Sequence, residues 1–84
     1  MKAAVVGANG LEIREVPRPE PKANEVLVRV RAAGLNRADL GIAAGHRHGS
    51  VGGAGTICGL EWAGEVAAVG AEVKGVKPGD RVMC

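Results

Sequence analysis

Two apolar-rich stretches near the N-terminus, residues 2–6 and 11–16, are joined by Gly7-Ala8-Asn9-Gly10. In the second stretch Leu11 and Ile13 face one way, while Glu12, Arg14 and Val16 face the other. A repeat of two sends successive side chains to opposite faces, so the second of the two stretches reads as a strand. Asn9-Gly10 between them is a hairpin signal, because both residues tolerate positive φ. Pro17, Pro19 and Pro21 then alternate with Arg18 and Glu20, which predicts an extended surface linker and forbids a helix.

The clearest alternation covers residues 25–33, with Val26, Val28 and Val30 on one face and Leu27, Arg29 and Arg31 on the other. At Asn36 the period changes. Leu40, Ala43 and Ala44 recur at helical spacing, Asn36 can cap, and Gly45 can close, so a helix of about two turns is expected over residues 37–44. Residues 46–55 are rich in glycine and have no period, which predicts a loop. A strand follows over residues 65–69, with Val73 and Val76 continuing its apolar side. Lys77-Pro78-Gly79-Asp80 reads as a turn, and residues 81–84 open another strand. The sum is mainly β with one short helix, as a small irregular β-barrel or folded-over sheet.

Size and charge narrow the functional classes. With 84 residues and 46% hydrophobic composition, the chain makes one small globular domain. Its apolar residues are nearly all Val, Ala, Leu and Ile; a single Trp and no Phe or Tyr leave no aromatic platform for stacking bases. The net charge of +2 is small, and basic residues are interspersed with acidic ones, which speaks against nucleic acid as a partner. No apolar run approaches the ~20 residues that span a bilayer, so no membrane association is expected. Two cysteines, Cys58 and Cys84, and no export signal point to a reducing cytoplasm.

Two glycine clusters imitate a nucleotide-binding turn. Val5-Val6-Gly7-Ala8-Asn9-Gly10 has the strand-plus-glycine beginning, but Asn9 and Glu12 occupy glycine positions of G-x-G-x-x-G. The motif also needs a helix immediately afterwards to meet the pyrophosphate, and here a strand and Pro17 follow. Gly53-Ala54-Gly55 has Cys58 at the third glycine and no strand before it.

Three ordered blocks carry a family resemblance: Ala33-Gly34-Leu35-Asn36-Arg37-Ala38-Asp39; Gly59-Leu60-Glu61-Trp62-Ala63-Gly64-Glu65-Val66 through Val69-Gly70; and Val76-Lys77-Pro78-Gly79-Asp80-Arg81-Val82. Together they resemble the N-terminal, GroES-like domain of medium-chain dehydrogenases/reductases, and the resemblance extends over essentially all 84 residues. It implies a GroES-like irregular β-barrel, incomplete at the C-terminus, with residues 1–84 as the substrate-side domain. The Rossmann cofactor domain of such enzymes is absent from this chain, so the 84 residues alone are expected to be inactive.

Zinc enzymes of that superfamily have a Cys in the first block and Gly-His-Glu in the second. Asn36 and Leu60 stand at the corresponding positions, and neither side chain suits a tetrahedral zinc site. The sequence instead resembles the zinc-independent quinone oxidoreductase branch. That implies NADPH, bound mainly by another domain, hydride delivery to a quinone or enone, no metal, and a homodimer in the full-length enzyme. It places Asn36 and Asp39 beside the cofactor; the same two residues could equally form a capping pair that starts the helix. Leu40, His46 and Arg47 are the substrate-cleft candidates. Some relatives carry a Tyr near this helix; Gly41 and Arg47 lie near that position, so an acid role would pass to Arg47, His46, His48 or water. Glu61 is expected to be structural, with Arg81 as its candidate partner, and Trp62 to serve the core or a contact between subunits. The alternative from a different class is a non-enzymatic GroES-like interaction module or remnant.

Overall fold

The computed structural model describes residues 1–48 and 51–84, so Gly49 and Ser50 of the expected loop lie outside the described residues, as do the side chains of His48 and Val51. The order of elements is β1 (Lys2–Gly7), β2 (Gly10–Glu15), β3 (Val26–Gly34), α1 (Arg37–Ala43), β4 (Arg47–His48), β5 (Val51–Gly52), β6 (Glu61–Val69) and β7 (Arg81–Met83). They fall into two compact units. One comprises Met1–Arg18 with Leu35–Leu60, the other Pro19–Gly34 with Glu61–Cys84. The secondary structure is mainly β with one short helix, in open sheets, as the residue pattern predicts.

In the first unit β1 and β2 pair antiparallel with Val6 opposite Leu11 and Gly7 opposite Gly10. The turn differs from expectation in one respect. Only Gly10 takes a positive φ, at 105°, and Asn9 does not, so the reversal rests on the residue that lacks a Cβ. The other edge of β1 is also paired. Val6 N–H donates to the Thr56 carbonyl at 2.9 Å, Gly55 N–H to the Val6 carbonyl at 2.8 Å, and Cys58 N–H to the Ala4 carbonyl at 2.9 Å. With hydrogen bonds on both edges, β1 is the central strand, and its Val5 and Val6 are buried with Ile42 of α1. The alternation in β2 does not translate into burial, since Leu11 and Ile13 both remain exposed.

The second unit is a three-stranded antiparallel sheet in the order β3-β6-β7. Strand β6 begins at Glu61, four residues before the expected start, because Gly64 interrupts the apolar pattern without interrupting the strand. Gly64 sits where β3 and β6 press together: a side chain there would collide with the Arg29 carbonyl. Shifts in register between Leu27 and Val28, and again between Val30 and Ala32, break the even alternation of β3. Val66 is the buried apolar side chain of this sheet, beside the buried Gly64.

Cross-strand pairing sets Arg29, Glu65 and Arg81 in one row. Arg31 Nε donates to Glu65 Oε1 at 2.8 Å. That hydrogen bond and the guanidinium charge hold the Glu65 carboxyl below its ordinary pKa. The expected Glu61–Arg81 pair is therefore replaced. Register places Arg81 opposite Glu65, whereas the Glu61 carboxylate lies over Gly34. Lys77–Asp80 is the expected turn, with Lys77 N–H donating to Asp80 Oδ2 at 3.0 Å and Lys77 Nζ to Oδ1 at 3.1 Å. No helix among the described residues is long and apolar enough to cross a membrane.

Candidate functional site

Five residues singled out in the sequence, Asn36, Asp39, Leu40, His46 and Arg47, belong to the first unit and cluster around α1 and the β4–β5 hairpin. The helix starts at Asn36, whose backbone is extended at φ −126° and ψ 151°. Asp39, in the first turn, accepts the Asn36 N–H on Oδ2 at 2.9 Å, and its own N–H donates to the Asn36 carbonyl at 2.9 Å. This is the carboxylate half of a capping box, and a negative charge in the first turn also suits the helix dipole. The capping reading of the pair is thus realised.

It does not account for the whole carboxylate. Asp39 Oδ1 is buried and, among the described residues, accepts no hydrogen bond. A carboxylate oxygen shielded from water costs free energy until a donor reaches it.

The helix lies differently from the face that Leu40, Ala43 and Ala44 suggested. Ile42 is the residue turned inward, at 1% exposure, whereas Leu40 is 74% exposed. Leu35, next to the cap, is 94% exposed. Leu35 and Leu40 occupy the N′ and N4 positions, where apolar side chains commonly staple a helix start. At these exposures they present apolar surface beside Asn36 instead. The staple spacing was visible in the sequence and was the signal that would have singled out Leu35.

At its far end α1 closes on Gly45, at φ +95°, whose N–H donates to the Ile42 carbonyl at 3.0 Å. The next N–H, that of His46, reaches the Gly41 carbonyl at 2.9 Å, which ties β4 to the helix. Part of the expected loop is thereby a short hairpin, with Arg47 opposite Gly52. Arg47 and His46 are both exposed. Cys58 is half-buried beside β1, and among the described residues no three His, Cys, Asp or Glu side chains come together in a way that could hold a metal ion.

Residues 22–84 match the family described as the alcohol dehydrogenase GroES-like domain. The chain is 40% identical over 89 aligned positions to an acryloyl-coenzyme A reductase of Metallosphaera sedula, covering 99% of this chain and 25% of that enzyme. It is 46% identical over 82 residues to a quinone oxidoreductase of Pseudomonas aeruginosa, covering 95% of this chain and 24% of the enzyme. A solved structure of an alcohol dehydrogenase superfamily protein from Novosphingobium aromaticivorans superposes with a TM-score of 0.85 at 38% identity, covering 99% of this chain and 26% of the other. The chain thus spans about a quarter of the length of these proteins.

Proposed function

The chain belongs to the alcohol dehydrogenase GroES-like domain family of the medium-chain dehydrogenases/reductases, and from that membership we propose that it is the substrate-side part of an NADPH-dependent, zinc-free quinone or enone reductase. Its nucleotide-binding domain lies outside the 84 residues, and the working enzyme is a cytoplasmic homodimer. The observation that carries the reading is the buried, unpartnered Asp39 Oδ1 next to Asn36, on the same unit as exposed Leu40, His46 and Arg47.

The residues fit a nicotinamide group. Asn36 and Asp39 would hold its polar end, with Asp39 Oδ1 accepting a hydrogen bond from an amide or hydroxyl of the cofactor. When bound, the cofactor supplies a hydride to the electron-poor acceptor. This chain's residues do the rest. Leu35 and Leu40 form an apolar wall that keeps water from the acceptor. Arg47 lines the substrate side of the cleft, and His46 or water delivers the proton that the acceptor oxygen gains. Asn36 and Leu60, where zinc enzymes of the superfamily have Cys and His, support a route that uses no metal Lewis acid.

The test is NADPH oxidation with 1,4-naphthoquinone by the full-length protein carrying this segment. Asn36→Ser keeps a capping oxygen and removes the amide, and is expected to lower kcat/KM about tenfold while the fold is retained. The 84 residues alone are expected to turn over no quinone. Stoichiometric zinc in the active protein, or loss of activity to a chelator, would overturn the metal-free reading. Turnover by the isolated segment would overturn the placement of the cofactor domain.

A further inference from the structure

Charge is distributed unequally between the two units. The second contains six Lys/Arg and six Asp/Glu residues. The first contains five Lys/Arg residues (Lys2, Arg14, Arg18, Arg37 and Arg47) and three acids (Glu12, Glu15 and Asp39), so the whole net charge of +2 resides there. All three acids are engaged. Glu12 pairs with Arg14, Glu15 with the N-terminal ammonium, and Asp39 with the Asn36 amide. Among the described residues no carboxylate lies within ion-pair distance of Arg47.

The Arg47 guanidinium also lies beside the open side of Gly53. A Cβ placed on Gly53 would stand 3.3 Å from Arg47 Nη2, 3.5 Å from Cζ and 3.6 Å from Nε. Three nearly equal distances mean that the guanidinium lies face-on to Gly53, which leaves the N–H groups along its edge directed away from that contact. The surface beneath is fixed. Gly53 has a φ of +88°, and its carbonyl accepts the Thr56 hydroxyl at 2.7 Å. Thr56 is in turn paired with β1 through Val6. Gly52, opposite Arg47, leaves no room for a side chain, since a Cβ would lie 2.5 Å from the His46 carbonyl.

We propose that Arg47 is a specificity-determining residue that binds an anionic group (carboxylate, sulfonate or phosphate) on the acceptor substrate. This rests on the reductase reading given above and narrows it from quinones and enones in general to those bearing a negative charge. An exposed guanidinium with its face toward Gly53 and no acid to neutralise it recognises such a group through paired N–H donors. The reacting carbon would then lie along the apolar surface of Leu35 and Leu40.

The experiment compares 1,4-naphthoquinone with 1,4-naphthoquinone-2-sulfonate as acceptors for the full-length protein, at saturating NADPH. Arg47→Gln is expected to lower the ratio of kcat/KM for the sulfonated over the neutral quinone about tenfold, mainly through KM. Arg47→Lys keeps the charge without the fork and is expected to fall between. Comparing each variant with the parent cancels the electronic effect of the sulfonate. An unchanged ratio overturns the proposal. So does a shift in NADPH-over-NADH preference in place of the quinone ratio, which would assign Arg47 to a cofactor phosphate. Should neither quinone be reduced, the reductase reading fails separately, and calorimetric titration with 2-naphthalenesulfonate decides the anion site. Binding by the parent that Arg47→Gln weakens about tenfold supports it; absence of binding by the parent overturns it.

Discussion

The two units reach order by different means. In the first, Val5, Val6 and Ile42 are buried together, so a short helix is pressed onto the central strand of a small sheet. In the second, Val66 is the one buried apolar side chain among the described residues, and order comes from strand pairing, a close crossing at Gly64, an ion pair on the sheet and another in the turn. The first is held by apolar volume and carries all the excess charge and the candidate site. The second is electrically neutral and held by register. The candidate site sits on the unit whose surface was left unbalanced, with two exposed leucines, guanidinium groups outside any ion pair among the described residues and an orphaned carboxylate oxygen.

The largest expected effect follows from that contrast. Ile42→Ala removes the helix's only fully buried side chain and is expected to cost about 3 kcal/mol. Hydrogen exchange would show where. The amides of Val6 and Gly55 should lose protection, while that of Val66 changes less. Equal acceleration in both units would mean that they unfold as one body and that the division into two kinds of order has no energetic meaning.

Gly64→Val probes the other unit. A branched side chain meets the Arg29 carbonyl where β3 and β6 approach most closely, and the expected cost is about 2 kcal/mol. Here Val66 and Gly79 should exchange faster and Val6 should not. A variant as stable as the parent would show that the strands can separate at Gly64 without loss, and that register is fixed elsewhere.

The same contrast decides what the residues alone disclosed. Sheet elements were legible because alternation and turn chemistry are local: residues 25–33, the hairpin at Asn9-Gly10 and the turn at Lys77-Pro78-Gly79-Asp80 all form. The start of β6 was missed because a glycine needed for close approach looks, in sequence, like a break. Pairing of charges was misjudged for Arg81, whose neighbour is set by register between β6 and β7 and not by residue type. At the site, the Asn36–Asp39 cap was legible from spacing. The inward face of α1 was not, since Leu40 and Ile42 are both strongly apolar and only the position of β1 chooses between them. Nor was the short β4–β5 hairpin, because a run of glycines has no period.

The smallest expected effect tests whether surface charge contributes to the neutral unit at all. Two hydrogen bonds from Lys77, the backbone N–H first and then Nζ, hold the Asp80 carboxyl below its ordinary pKa. A carboxyl whose pKa is lower in the folded state contributes stability above the unfolded carboxylate range. That contribution is lost as pH falls through the folded value. Asp80→Asn retains an oxygen to accept the Lys77 N–H and removes the charge, so it isolates the electrostatic part. The variant should be slightly less stable than the parent at neutral pH, and the difference should close as the parent is acidified. The Val66 amide, which donates to the Asp80 carbonyl at 2.9 Å, is the place to read it by hydrogen exchange. A difference that persists unchanged into acid would show that the turn is held by its backbone geometry, with Pro78 and Gly79 sufficient to set it. The second unit would then owe its order to pairing and close packing alone, and the working charge of the chain would be confined to the first.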